Sequence, residues 1–150
     1  MSDTSELPSM RVEAESESAT KTSVTARDFQ LTVDEPESMG GSDDGPNPLE
    51  YLIAGQAGCL NVTGHQVAEE MGIELDDLAI TIEGEFDPAK FQGEDMDERA
   101  GYQGLRVTIE ADTDADREPL ERWIEQVEER CPVTDNVENA TPIDVSISAK

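Results

Sequence analysis

The sequence predicts an α+β fold in which antiparallel strands pack on a long central helix and a second, shorter helix. Three features point there. Apolar residues alternate with polar ones in several separate stretches, two other stretches carry the 3.6-residue period of helices, and the strands cluster around the helices instead of alternating with them one for one. A chain of 150 residues is an ordinary size for one core, so residues 10–150 are expected to form a single domain behind a loose polar segment over 1–9.

The elements follow in order. Met10, Val12 and Ala14 alternate with Arg11, Glu13 and Glu15 as in a half-buried strand, and Phe29, Leu31 and Val33 repeat the pattern. Arg11 and Arg27 read as outward residues of these strands, and Lys21 is the basic residue of the connection between them. Pro36 and the Gly- and Pro-rich run from Met39 mark a long turn. The central helix starts where Asn47 can cap, Pro48 suits the first helical position and Glu50 can reach back to a free amide; Gly72 stops it after Met71. Its middle is unusually small, with Ala54, Gly55, Ala57 and Gly58. Glycine costs about 1 kcal/mol relative to alanine inside a helix, so this stretch predicts the close approach of another backbone, and with it dimerisation. Leu78, Ile80 and Ile82 form a strand, as do Leu105, Val107 and Ile109, with a polar connection over 87–104 between them. Leu120, Trp123, Ile124, Val127 and Cys131 share one stripe of a second helix, which Pro132 ends, and Ile143, Val145 and Ile147 alternate as a last strand.

Charge decides the class of partner. Thirty-six acidic against ten basic residues give a net charge of −26, a surface that repels nucleic acid and anionic membranes. Hydrophobicity this low with charge this high usually means disorder, but the clean periodicities argue for a fold. Such a fold needs its self-repulsion screened, and the screening length drops to roughly 3 Å at 1 M salt from about 10 Å at 0.1 M. The composition is therefore read as adaptation to a salt-filled cytoplasm, and loss of folded dimer is expected at ordinary ionic strength. No apolar run of bilayer length and no export signal is visible, which predicts a cytoplasmic location.

Two cysteines without CxxC spacing, in a chain with no export signal, do not describe a disulfide framework, and reactive thiols come into view. The segment from Gly45-Pro-Asn-Pro-Leu-Glu-Tyr-Leu-Ile-Ala through Gly58-Cys59-Leu60, taken with Cys131-Pro-Val133 at a later helix end, resembles the OsmC/Ohr family of thiol peroxidases over nearly the whole chain. The resemblance implies that Cys59 attacks an organic hydroperoxide and that Cys131 condenses with it to a disulfide. It also implies an intertwined homodimer, recycling by a dithiol reductant, and no metal or organic cofactor. In the peroxidase branches a Glu directly follows the Asn-Pro pair and an Arg on an N-terminal loop assists the thiolate. Here Leu49 holds the first place, Glu50 stands one residue later, and no Arg falls between the first two strands, which brings the chain nearer the OsmC-like branch.

Glu50 is therefore a candidate for either of two tasks, assisting Cys59 or capping the helix. The remaining polar residues read simply. His65 lies about 240° round the helix from Cys59, too far for a dyad. One His and two distant Cys are too few for zinc. Asp112, Asp114, Asp116 and Glu118 imitate a calcium loop, but Arg117 stands where glycine is required. Gln56 and Thr63 share the face of Cys59 and can line a pocket or a dimer contact. The nonenzymatic alternative is a stress-associated protein that binds a small apolar ligand in the dimer crevice.

Overall fold

The computed structural model describes residues 7–149. Most of the segment expected to be loose, 1–6, lies outside that range. The chain divides into two compact units, Met1–Leu52 and Ile53–Lys150.

The first unit holds a three-stranded antiparallel sheet of β1 (Glu13–Ser16), β2 (Thr22–Ala26) and β3 (Phe29–Val33), in that order across the sheet. Val24 pairs with Ala14 on one side and Leu31 on the other. Strand β2 occupies what reads as connection, because TSVTA carries hydroxyls in place of an apolar alternation. The first strand starts later than its pattern suggests, leaving Met10 and Val12 exposed ahead of it. Neither Arg11 nor Arg27 is a strand residue. Arg11 precedes β1 and pairs with Glu13 at 2.6 Å, while Arg27 makes the β2–β3 turn at φ 54°, its guanidinium 5.0 Å from the centre of the Phe29 ring.

The long turn after β3 is organised by a residue the sequence did not advertise. Asp34 is fully buried, and its carboxylate accepts from the Thr20 hydroxyl at 3.0 Å and the amides of Glu35, Ser42 and Asp44 at 2.7, 3.3 and 3.1 Å. These bonds hold the Gly- and Asp-rich run, which lacks ladder partners of its own, in one conformation. Lys21 is committed to Asp44 at 3.1 Å, with Glu17 at 3.8 Å.

Helix α1 (Pro48–Met71) starts with a reciprocal cap: the Asn47 side chain accepts from the Glu50 amide at 2.8 Å, and Glu50 accepts from the Asn47 amide at 2.9 Å. Gly72 ends it at φ 71°, a left-handed conformation that suits glycine.

In the second unit, strands β4 (Asp77–Phe86) and β5 (Tyr102–Asp112) form an antiparallel pair with Ile80 opposite Ile109 and Ile82 opposite Val107. Their inward side chains, Leu78, Ile80, Ile82 and Ile109, pack on a core of Leu60, Val67, Ala68, Trp123, Val127 and Cys131. Leu60, Val67 and Ala68 come from α1; Trp123 and Val127 come from α2 (Arg117–Arg130), one turn apart. The Trp123 indole donates to the Gly64 carbonyl at 2.8 Å, and a Cβ at residue 64 would stand 3.2 Å from the indole ring. Gly64 is thus where α1 is closely approached. Gly55 and Gly58, where the backbone of a dimer partner was expected to approach, have nothing of this chain's described residues within 4 Å of a Cβ built on them, and a single chain does not test that approach.

The C-terminal part of the chain adds one helix and lacks one expected strand. Pro132 ends α2 but also opens a short helix, α3 (Pro132–Glu138), because proline at a first helical position has no amide proton to leave unpaired. Ile143, Val145 and Ile147 form no strand within this chain: they lie outside any helix or strand, 82%, 82% and 97% exposed. Alternation specifies a strand only where a neighbour supplies the ladder, and no strand of the described residues lies beside this segment.

Candidate functional site

Cys59 lies on α1, half-buried, between Gln56 one turn before it and Thr63 one turn after, whose hydroxyl is 4.0 Å from the sulfur. Cys131 is fully buried at the junction of α2 and α3, brought there by the apolar stripe of α2 that ends in Trp123 and Val127. Both are free thiols, and although 72 positions separate them in the chain, Cys59 packs against the core cluster that holds Cys131 and each sulfur perturbs the other's titration.

The surroundings treat the two sulfurs unequally. Burial pushes the Cys59 thiol above its ordinary value; the Val133 amide opposes this, the Cys131 thiol adds to it, and the Thr63 hydroxyl opposes it, with a net rise. Burial also raises Cys131, but there the Thr134 hydroxyl, the Cys59 thiol and the amides of Thr134 and Val133 outweigh it, and Cys131 ends below the ordinary thiol value. No Lys, Arg or His is among these influences.

Behind Cys131 the arrangement continues into α1. Gln56, 4% exposed, donates from Nε2 to the Thr134 hydroxyl oxygen at 3.3 Å. Among the described residues its Oε1 is buried without a hydrogen-bond partner, a condition that costs about 1–3 kcal/mol. The pair Gln56 and Thr134 spans 78 positions, and Thr134 was not singled out from the sequence. The available signal was a polar residue set among small ones at i−3 from one cysteine and a hydroxyl at i+3 from the other.

The other candidates lie elsewhere. The carboxylate of Glu50 takes part in the Asn47 cap. His65 is exposed, its Nδ1 2.9 Å from the Asn61 carbonyl oxygen. Asp116 occupies the position before α2, and among the described residues no group of three or more His, Cys, Asp or Glu is placed to hold a metal ion. An open, largely polar hollow of about 480 Å³, lined in part by Met71, Glu74, Asp116 and Pro119, lies at the far end of α1 and involves neither thiol. No helix among the described residues is long and apolar enough to cross a membrane.

Comparison with known proteins places the chain in a family. Residues 41–146 match the family described as OsmC-like protein. The chain is 31% identical over 106 residues to the organic hydroperoxide resistance protein OhrB of Bacillus subtilis (strain 168), a match covering 70% of each. Its fold is that of an OsmC-like protein from Mycoplasma pneumoniae, with a TM-score of 0.77 at 19% identity over 89% of both chains. The crystal structure of Bacillus subtilis OhrB is also similar, with a TM-score of 0.59 at 22% identity over 88% of this chain and 92% of that one. The mixed α+β architecture, the capped helix carrying Cys59 and the matched span together identify the chain as a member of the OsmC-like protein family.

Proposed function

We propose that the protein is a thiol peroxidase that reduces organic hydroperoxides through Cys59, with Cys131 as the resolving thiol. The observation that carries this reading is the convergence of two free thiols so distant in sequence on one core cluster, near enough to perturb each other. Membership of a family with a hydroperoxide-resistance relative supports it.

The chemistry needs nothing beyond these groups and the peroxide. The Cys59 thiolate attacks the outer peroxide oxygen, the O–O bond breaks, and the alcohol leaves after gaining a proton. Cys131 then attacks the resulting sulfenic acid, forming a disulfide and releasing water. Two electrons have passed from the sulfurs to the peroxide, and an external dithiol returns them. Glu50 serves this scheme by closing the start of the helix that bears Cys59.

The working protein is a cytoplasmic homodimer in a salt-rich medium. The exposed apolar side chains of the first sheet and of 143–147 support the dimer, and the charge of −26 supports the medium. Reduced protein mixed with an organic hydroperoxide in molar salt is expected to lose two thiols per first turnover, and Cys59→Ser to abolish peroxide loss. Peroxide persisting while both thiols stay free, with an apolar ligand raising the melting temperature, would transfer the assignment to a ligand-binding protein.

A further inference from the structure

We propose that Gln56 holds the sulfenic acid of Cys59: its unpaired side-chain oxygen accepts the S–O–H hydrogen, and Thr134 anchors the amide that presents that oxygen. The proposal rests on the peroxidase reading for the source of the S–O–H group, while its test makes the group by direct oxidation.

Gln56 is 4% exposed, and among the described residues its Oε1 has no hydrogen-bond partner. An apolar side chain of the same length would avoid the penalty of burying such an acceptor, so the oxygen calls for a donor that arrives after folding. The nitrogen end of the amide is already committed: Nε2 donates to Thr134 Oγ1 at 3.3 Å, and Thr134 is buried as well. An amide carries its donor and its acceptor on one rigid group, so anchoring the nitrogen limits where the oxygen can lie. Gln56 and Cys59 stand three residues apart on α1, neighbours along one face of the helix. Thr134 stands three residues after Cys131, which caps α3, so the Gln56 amide joins the two cysteine-bearing parts of the chain.

The missing donor has to be small, because Oε1 is closed off within the fold, and strong, which a thiol S–H is not. An O–H formed on the neighbouring sulfur meets both conditions. The Cys59 thiolate attacks the outer oxygen of the hydroperoxide; S–O forms as O–O breaks, and that oxygen keeps its hydrogen. The sulfur gives up two electrons, and the departing alkoxide takes a proton from solvent and leaves as the alcohol. Cys59 now carries S–O–H and can donate to Gln56 Oε1 while Nε2 stays on Thr134, so no existing bond is lost. Ionisation of the sulfenic acid would set two oxygens without a hydrogen against each other. Gln56 therefore favours the protonated form, which reacts more slowly with a second peroxide. Cys131 then attacks the sulfenic sulfur: S–S forms, S–O breaks, and the oxygen leaves as water with the hydrogen it carried and the Cys131 thiol hydrogen.

Cys131→Ser leaves the sulfenic acid with no thiol to consume it. Reduced Cys131→Ser protein is treated with excess hydrogen peroxide in molar salt, and intact mass follows the species with one and two added oxygens, the sulfenic and sulfinic acids. Adding Gln56→Met is expected to speed the second oxidation about tenfold, the weight of one hydrogen bond, and Gln56→Leu gives the same reading should methionine repack the site. Thr134→Val, which releases the amide, should act in the same direction and more weakly. Alkylation of reduced Cys59 by iodoacetamide brings no O–H and should change little in these variants; a parallel rise in alkylation would mark a general loosening of the helix and overturn the role given to Gln56. An unchanged second oxidation in both Gln56 variants of a protein that consumes hydroperoxide overturns the proposal and leaves the peroxidase reading standing. A Cys59 that takes up no oxygen from hydrogen peroxide overturns both. A sulfenic acid that depends on Gln56, in a wild-type protein that leaves organic hydroperoxide intact, supports the proposal and overturns the peroxidase reading alone.

Discussion

Replacing Trp123 with phenylalanine separates the contributions that fix the two cysteine-bearing helices. The variant loses the indole N–H bond to the Gly64 carbonyl, worth about 1 kcal/mol. The carbonyl keeps its place in the helix ladder, so no buried acceptor is orphaned. Shrinking the ring removes the equivalent of roughly two methylene groups from a site only 3% exposed, another 1.5 kcal/mol or so at about 0.8 kcal/mol each. The expected loss is therefore about 2.5 kcal/mol, or roughly 5–10 °C in melting temperature for a chain of this length. The measurement is urea unfolding in molar salt followed by far-ultraviolet circular dichroism, because Trp123 is the single tryptophan and fluorescence would vanish with it. A loss below about 0.5 kcal/mol would show that the indole bond and the α1–α2 contact contribute little, and the account of how Cys131 is positioned would fail with it.

Two further perturbations test other parts of the molecule. The Asp34 carboxyl lies below the usual aspartate range, first through the Glu35 amide, then, against burial, through the Asp44 amide, the Thr20 hydroxyl and the Ser42 amide. A depressed folded-state pKa gives stability that is complete above the unfolded value of about 3.9 and drains away as pH falls through the folded one. Asp34→Asn should consequently melt below wild type at neutral pH, with a gap that narrows on acidification below about pH 4; a gap that widens there would contradict the assignment. Val145→Asp, placed in the exposed apolar alternation at the C-terminal end, is expected to convert the dimer to monomer in light scattering on a sizing column, and an unchanged mass would remove that segment from the interface.

What could be read from the sequence was what is encoded locally. The Asn47, Pro48 and Glu50 start and the Gly72 stop are short-range chemistry, and α1 has those bounds. Strands β4 and β5 were legible because their alternation is dense enough to bury one face. Strand β2 was hidden because its neighbours, not its own side chains, make it a strand. The pattern at 143–147 is genuine strand chemistry, but nothing in a single sequence says on which chain its partner lies. Asp34 and the Gln56–Thr134 bond were out of reach for a similar reason: each depends on residues many positions away, and a polar residue's burial is not written in its neighbours. The two cysteines could be named as a pair only through the motifs around both, since a separation of 72 positions carries no distance.

The neutral character of the donors around Cys131 bears on how the protein tolerates its medium. A cation stabilising a thiolate across several ångströms of solvent would lose most of its influence in concentrated electrolyte, where screening acts within roughly 3 Å. The Cys131 sulfur is sealed from solvent, which leaves no gap for ions to enter. A chain carrying a charge of −26 is expected to respond to dissolved ions through its surface, whereas a thiol out of their reach should keep a steady reactivity across brines of different strength.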